Sequence, residues 1–177
     1  MQTYDSTSKK LHWLIAAIII SLLIAGFIMG DLPKSPSRHL IYNLHKSFGT
    51  TVLLLMIIRI IWRLTHTPPK LPNTMPKWQV TGAHVTHGLL YLIGIIMPAS
   101  GLLMSISHGH PPNIFGLFVI NLPIPQTQQL ADIFSTSHYL LGWLLSILII
   151  LHIGAAFSHG LNKNSIIWRM WSKKNAK

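Results

Sequence analysis

His138 and His152 stand fourteen positions apart in the stretch HYLLGWLLSILIILH, which is otherwise apolar but for Ser146. A neutral imidazole can give a lone pair to a metal, take part in a hydrogen bond, or carry a proton, and its position decides which. On an α-helix fourteen residues advance about 21 Å and return to within about 40° of the starting direction. The two rings therefore share one helix face, one near each side of a bilayer. Hydrocarbon penalises an unsatisfied polar group, so each ring needs a partner at its own depth.

The elements that must supply those partners follow from composition. The chain has 177 residues, 50% of them hydrophobic and only 10% charged, against about 25% charged in an ordinary soluble domain. The apolar residues fall into four blocks, roughly 11–30, 40–64, 80–106 and 133–160, each long enough to cross a bilayer with about 20 residues. The first block follows Lys9 and Lys10. It exceeds the usual signal-peptide core of about 7–15 residues and lacks a clear small-x-small cleavage site, so it reads as a retained helix. The expectation is an all-α membrane protein: a single domain over 1–177, built as a four-transmembrane-helix bundle.

Orientation comes from charge. With the N-terminus placed in the cytoplasm, eleven of the 14 cations fall on that side, and only Lys34, Arg38 and Lys46 on the other. The connection from about 107 to 132 has no Lys or Arg. This is the positive-inside pattern with both termini cytoplasmic. The net charge of +11 thus reports contact with the lipid bilayer and not a nucleic-acid partner. No cysteine is present, which excludes disulfides, iron–sulfur ligation and covalent haem attachment. A cofactor here must be held by nitrogen.

Sorting the other histidines by depth gives candidates. His45 enters the second helix from the outer side, level with His138, while His12, His84 and His87 lie nearer the level of His152. One imidazole pair at each level suits a non-covalent b-type haem with both axial positions filled, a group that passes electrons and has no open site for oxygen. Two ligands per level and no helix-borne carboxylate make a poor zinc cage. Gly49 and Gly142 each lie one turn inward from a paired histidine and leave room for a flat ring. Arg59, fourteen residues after His45, is placed to meet a propionate of the inner haem. His39, His66, His108 and His110 fall in loops and read as interfacial residues.

HW at 12–13, LIYNLHKSFG at 40–49, RIIWRL at 59–64, TGAHVTHGLLY at 81–91, HYLLG at 138–142 and LHIGAAFSHG at 151–160 together resemble the prokaryotic cytochrome b561 family over nearly the whole chain. The resemblance implies a multi-pass protein of the bacterial inner membrane with two haem b groups, bis-His ligated. It implies an outer haem on His45 and His138 and an inner one on His12 and His152; the choice of His12 over His84 or His87 comes from the resemblance alone. One branch of the family is similar to a superoxide oxidase that passes electrons from periplasmic superoxide to ubiquinone. Lys34, Arg38 and Lys46 form a cationic patch suited to attracting such an anion. His159, seven residues beyond His152, is then the candidate for the quinone site, where it can donate or relay a proton. The expectation is therefore a superoxide:quinone oxidoreductase. The alternative is a haem-b anchor and electron-relay subunit for a dehydrogenase or hydrogenase. The residues name no protein partner.

Overall fold

The computed structural model describes residues 2–73, 75–158 and 167–171. Four long helices, α1 (Ser6–Ile28), α2 (Pro36–Thr65), α3 (Lys77–Ser107) and α4 (Gln128–Ser158), are each long and apolar enough to cross a membrane. A two-stranded hairpin, β1 (Asn113–Ile114) and β2 (Phe118–Val119), lies between α3 and α4, and a single turn, α5 (Trp168–Trp171), follows α4. The protein is a four-helix membrane bundle.

α1 and α2 begin before their apolar blocks because polar residues cap them outside the hydrocarbon. Asp5 accepts hydrogen bonds from the Ser8 amide at 2.8 Å and the Ser8 hydroxyl at 2.6 Å, which starts α1 ahead of residue 11. Ser35 caps α2 by accepting from the Arg38 amide at 3.2 Å, with Pro36 in the first turn, where its missing N–H costs nothing.

Consecutive helices pack closest, α1 on α2, α2 on α3 and α3 on α4. The ring closes between α1 and α4 through side chains such as Phe27 against Trp143, with ring centres 4.8 Å apart. Ile15, Val52 and Met56 form one buried cluster, and Ile93, Leu145 and Leu148 another. Met56 lies so close to Gly94 that a Cβ there would meet its terminal methyl at 2.6 Å.

The two ends of the bundle differ. At one end the segment ahead of α1, the α2–α3 link and α5 are tied together. Arg169, 3% exposed, donates to the carbonyls of Gln2 and Lys70, and the Tyr4 amide donates to the Arg169 carbonyl. This is the termini end. At the other, the hairpin end, the segment NIFGLFV turns through Phe115 and Gly116, both at positive φ (50° and 76°). The turn is pinned onto α2: Ser47 donates to the Asn113 carbonyl at 3.3 Å and accepts from the Phe115 amide at 3.1 Å.

Candidate functional site

Every helix of the bundle carries a fourteen-residue pair on its inward face: His12 and Gly26 on α1, His45 and Arg59 on α2, His87 and Gly101 on α3, His138 and His152 on α4. Because neighbours run antiparallel, these eight residues collect into two levels. The hairpin-end level holds His45 and His138 with Gly26 and Gly101 beside them. The termini-end level holds His12, His87 and His152 with Arg59. The apolar clusters lie between.

At the hairpin end the rings of His45 and His138 have centres 6.3 Å apart and planes at 80°. His138 Nδ1 is 3.1 Å from the Met97 carbonyl and 3.1 Å from Ser100 Oγ. His45 Nδ1 is buried with no hydrogen-bond partner. Both rings line a mostly apolar chamber with about 810 Å³ of space between atoms, counting its open mouth; Gly49, Gly94, Gly101 and Lys46 line it too.

At the termini end His12 and His152 have ring centres 6.2 Å apart at 75°, and His87 lies closer to His152, at 5.5 Å. His84 is exposed and stands outside this group. Arg59 is tied to two neighbours at this level. Its Nη2 lies 3.2 Å from His12 Nδ1, and its Nε donates to the Tyr91 hydroxyl at 3.3 Å. A guanidinium only donates, so His12 Nδ1 accepts here.

These residues fit a haem held between facing imidazoles. With metal–imidazole bonds of about 2 Å, two rings sharing one metal ion would have centres about 6 Å apart. The His45–His138 and His12–His152 pairs have that spacing, and His87–His152 is shorter. A Cβ added at Gly49 would meet nothing within 4 Å, and one at buried Gly142 only Met97 Cε at 3.9 Å, so both glycines border open space. Among the described residues no three His, Cys, Asp or Glu side chains converge on a bare metal ion.

Of the three cations expected on the outer side, Lys46 lines the chamber and donates to the His110 carbonyl at 3.1 Å. Arg38 donates to the Gly30 carbonyl and sits over Tyr42, itself a chamber residue. Lys34 is exposed in the α1–α2 turn. His39, His66, His108 and His110 are exposed. His159 lies outside the described residues. Gly26 and Gly101 were missed in the sequence, although their spacing from His12 and His87 repeats the one that singles out His138 and His152.

Comparison with known proteins gives the family. The family model for prokaryotic cytochrome b561 matches residues 3–173. Cytochrome b561 homolog 2 of Escherichia coli (strain K12) is 29% identical over 178 residues, covering 99% of this chain and 94% of the relative. The probable superoxide oxidase CybB of Yersinia pestis is 31% identical over 178 residues, with 97% of each chain covered. Cytochrome b561 homolog 1 of Escherichia coli (strain K12) is 26% identical over 176 residues, covering 98% and 99%. Together with the four spanning helices and their facing histidines, these matches place the chain in the prokaryotic cytochrome b561 family, as a multi-pass, b-haem-binding electron-transfer protein of the bacterial inner membrane.

Proposed function

We propose that this chain is a superoxide:quinone oxidoreductase with two haem b groups, one held by His45 and His138 and the other by His12 and His152. The observation that carries the ligand set is the pair of imidazole spacings, 6.3 Å and 6.2 Å, one at each level of the bundle. Bound there, the haems supply one-electron carriage between the two faces of the membrane.

The remaining chemistry belongs to side chains. With the termini end cytoplasmic, as the cation asymmetry favours, the hairpin end faces the periplasm. There Lys46 borders the chamber beside His45, with Lys34 and Arg38 nearer the rim. Their field raises the local concentration of a small anion, and the similarity to the probable superoxide oxidase of Yersinia pestis favours superoxide as that anion. The overall reaction balances as two superoxide ions, one quinone and two protons giving two dioxygen molecules and one quinol. Both protons enter on the quinone side. His159, seven residues past His152 in sequence, is the residue we assign to passing a proton to the quinone.

The test is to supply the purified chain alone with enzymatically generated superoxide and a short-chain ubiquinone. Quinol formation above the spontaneous background, slowed severalfold in Lys46→Gln and weakened by salt, supports the oxidase reading. No quinol from a haem-loaded chain that co-purifies with a dehydrogenase or hydrogenase supports the relay-subunit reading.

A further inference from the structure

His138 is held by α3, a helix that places no imidazole at the hairpin-end level. Its Nδ1 lies 3.1 Å from the Met97 carbonyl oxygen, which can only accept, so Nδ1 carries the proton and Nε2 keeps its lone pair. Ser100 Oγ donates to the same carbonyl at 2.7 Å and is 3.1 Å from His138 Nδ1. Its own proton is thereby spent on Met97, and the hydroxyl oxygen becomes a second acceptor for Nδ1–H. Ser100 is only 6% exposed, so water does not compete for these bonds. Next to it, Gly101 faces the edge of the ring. A Cβ at 101 would stand 2.7 Å from His138 Cε1 and 3.0 Å from Nδ1. His45 has no such seat: Gly26 is less tightly opposed, at 3.3 Å from Cε1, and its Nδ1 is unpartnered.

We propose that Ser100 and Gly101 are positioning residues for His138, Ser100 by accepting from Nδ1–H and Gly101 by leaving room for the ring. The proposal rests on His138 being an axial haem ligand. Its consequence is electronic as well as geometric. Acceptors on the remote N–H of a ligating histidine fix its tautomer and raise its basicity, and a more basic ligand favours the oxidised iron. Ser100 therefore lowers the potential of the hairpin-end haem. Gly101 lets the ring stay in line with His45; any side chain there pushes it off Ser100 and Met97.

The experiment uses the full-length, detergent-purified, haem-loaded protein as wild type, Ser100→Ala, Ser100→Thr and Gly101→Ala. Haem per chain, a spectroelectrochemical titration and the low-spin ferric resonance spectrum are read for each. In Ser100→Ala one midpoint moves upward and the other stays in place, and Ser100→Thr, which restores the hydroxyl, returns it. Loss of one haem in Ser100→Ala with recovery in Ser100→Thr gives the same support. In Gly101→Ala one of the two low-spin signatures is lost or shifted. Both potentials unchanged in a fully loaded Ser100→Ala protein overturns the role of Ser100, whatever the fate of the Gly101 variant. An unaltered spectrum with full haem in Gly101→Ala overturns the role of Gly101. A wild-type chain that binds no haem overturns instead the ligand assignment beneath the proposal.

Discussion

Arg59 and His12 set the chemistry of the termini-end level against that of the hairpin end. His138 presents a proton on Nδ1 to neutral acceptors, whereas His12 Nδ1 accepts from a guanidinium 3.2 Å away. For His12 to ligate through Nε2, its proton must sit on Nδ1, so Arg59 must release that atom as the haem enters. Arg59→Gln leaves an amide oxygen that can accept from Nδ1–H and removes a cation that favours the reduced iron. The expected result is two haems retained and one midpoint shifted downward in a redox titration; unchanged potentials would separate Arg59 from this site. At this scale spacing made some of the histidines legible. The spacing of His138 and His152 exposed the two-level plan, and His45 and His12 followed from depth and family likeness. Gly26 and Gly101 were hidden because a glycine acts only through what stands opposite it, and that requires the packed helices. His87 could not be told from His84 by spacing, since facing separates them: one is half-buried against His152 and the other exposed.

Elements outside the four spans hold surprises of the same origin. The apolar stretch at 113–119 forms a hairpin that depends on Phe115 taking a left-handed backbone, which no residue type in FGL demands apart from the glycine. Its depth is set by Ser47, eleven residues into α2 from Pro36, about 17 Å along the helix axis. Leu117, Phe118 and Val119 point outward there, 80%, 56% and 55% exposed. Strand pairing and Ser47 satisfy part of the hairpin backbone, as hydrocarbon requires. The cysteine-free chain permits a direct check: Leu117→Cys labelled with an environment-sensitive fluorophore is quenched by spin-labelled acyl chains and shielded from aqueous iodide. Quenching by iodide alone would put the hairpin in water. At the opposite end Asp5 caps α1 and accepts from the Trp62 indole at 3.2 Å. Partial burial pushes its carboxyl up, but the hydrogen bonds from Ser8 and Trp62 outweigh this and hold it below the usual range. The stability it adds is therefore complete above its unfolded value of about 3.9 and fades as pH falls through the lower folded value. Asp5→Asn keeps a good cap without the charge. The difference between the two melting temperatures should be full at pH 7 and shrink as pH falls below about 3.9; a difference that does not shrink in acid would contradict this.

Over the whole molecule, the fold and the electron-transfer role reduce to one arrangement. Four antiparallel helices repeat a fourteen-residue inward pair, and two levels of imidazole result, separated by the clusters around Met56 and Leu148. Bundle, spans and family were legible because hydropathy, cation asymmetry and histidine depth all survive in one dimension. The space at the hairpin end was legible only in part, through Gly49 and Gly142; its walls at Gly94 and Gly101 were not, because they arise from helix facing. The central claim is two haems on two imidazole pairs. It is tested most directly by haem content per chain with a dithionite-reduced-minus-oxidised spectrum, for wild type, His138→Ala and His12→Ala. The account predicts two non-covalent low-spin b haems in the wild type and one in each variant. A wild type with one haem or none, or a His12→Ala protein that keeps both while His87→Ala loses one, would contradict it.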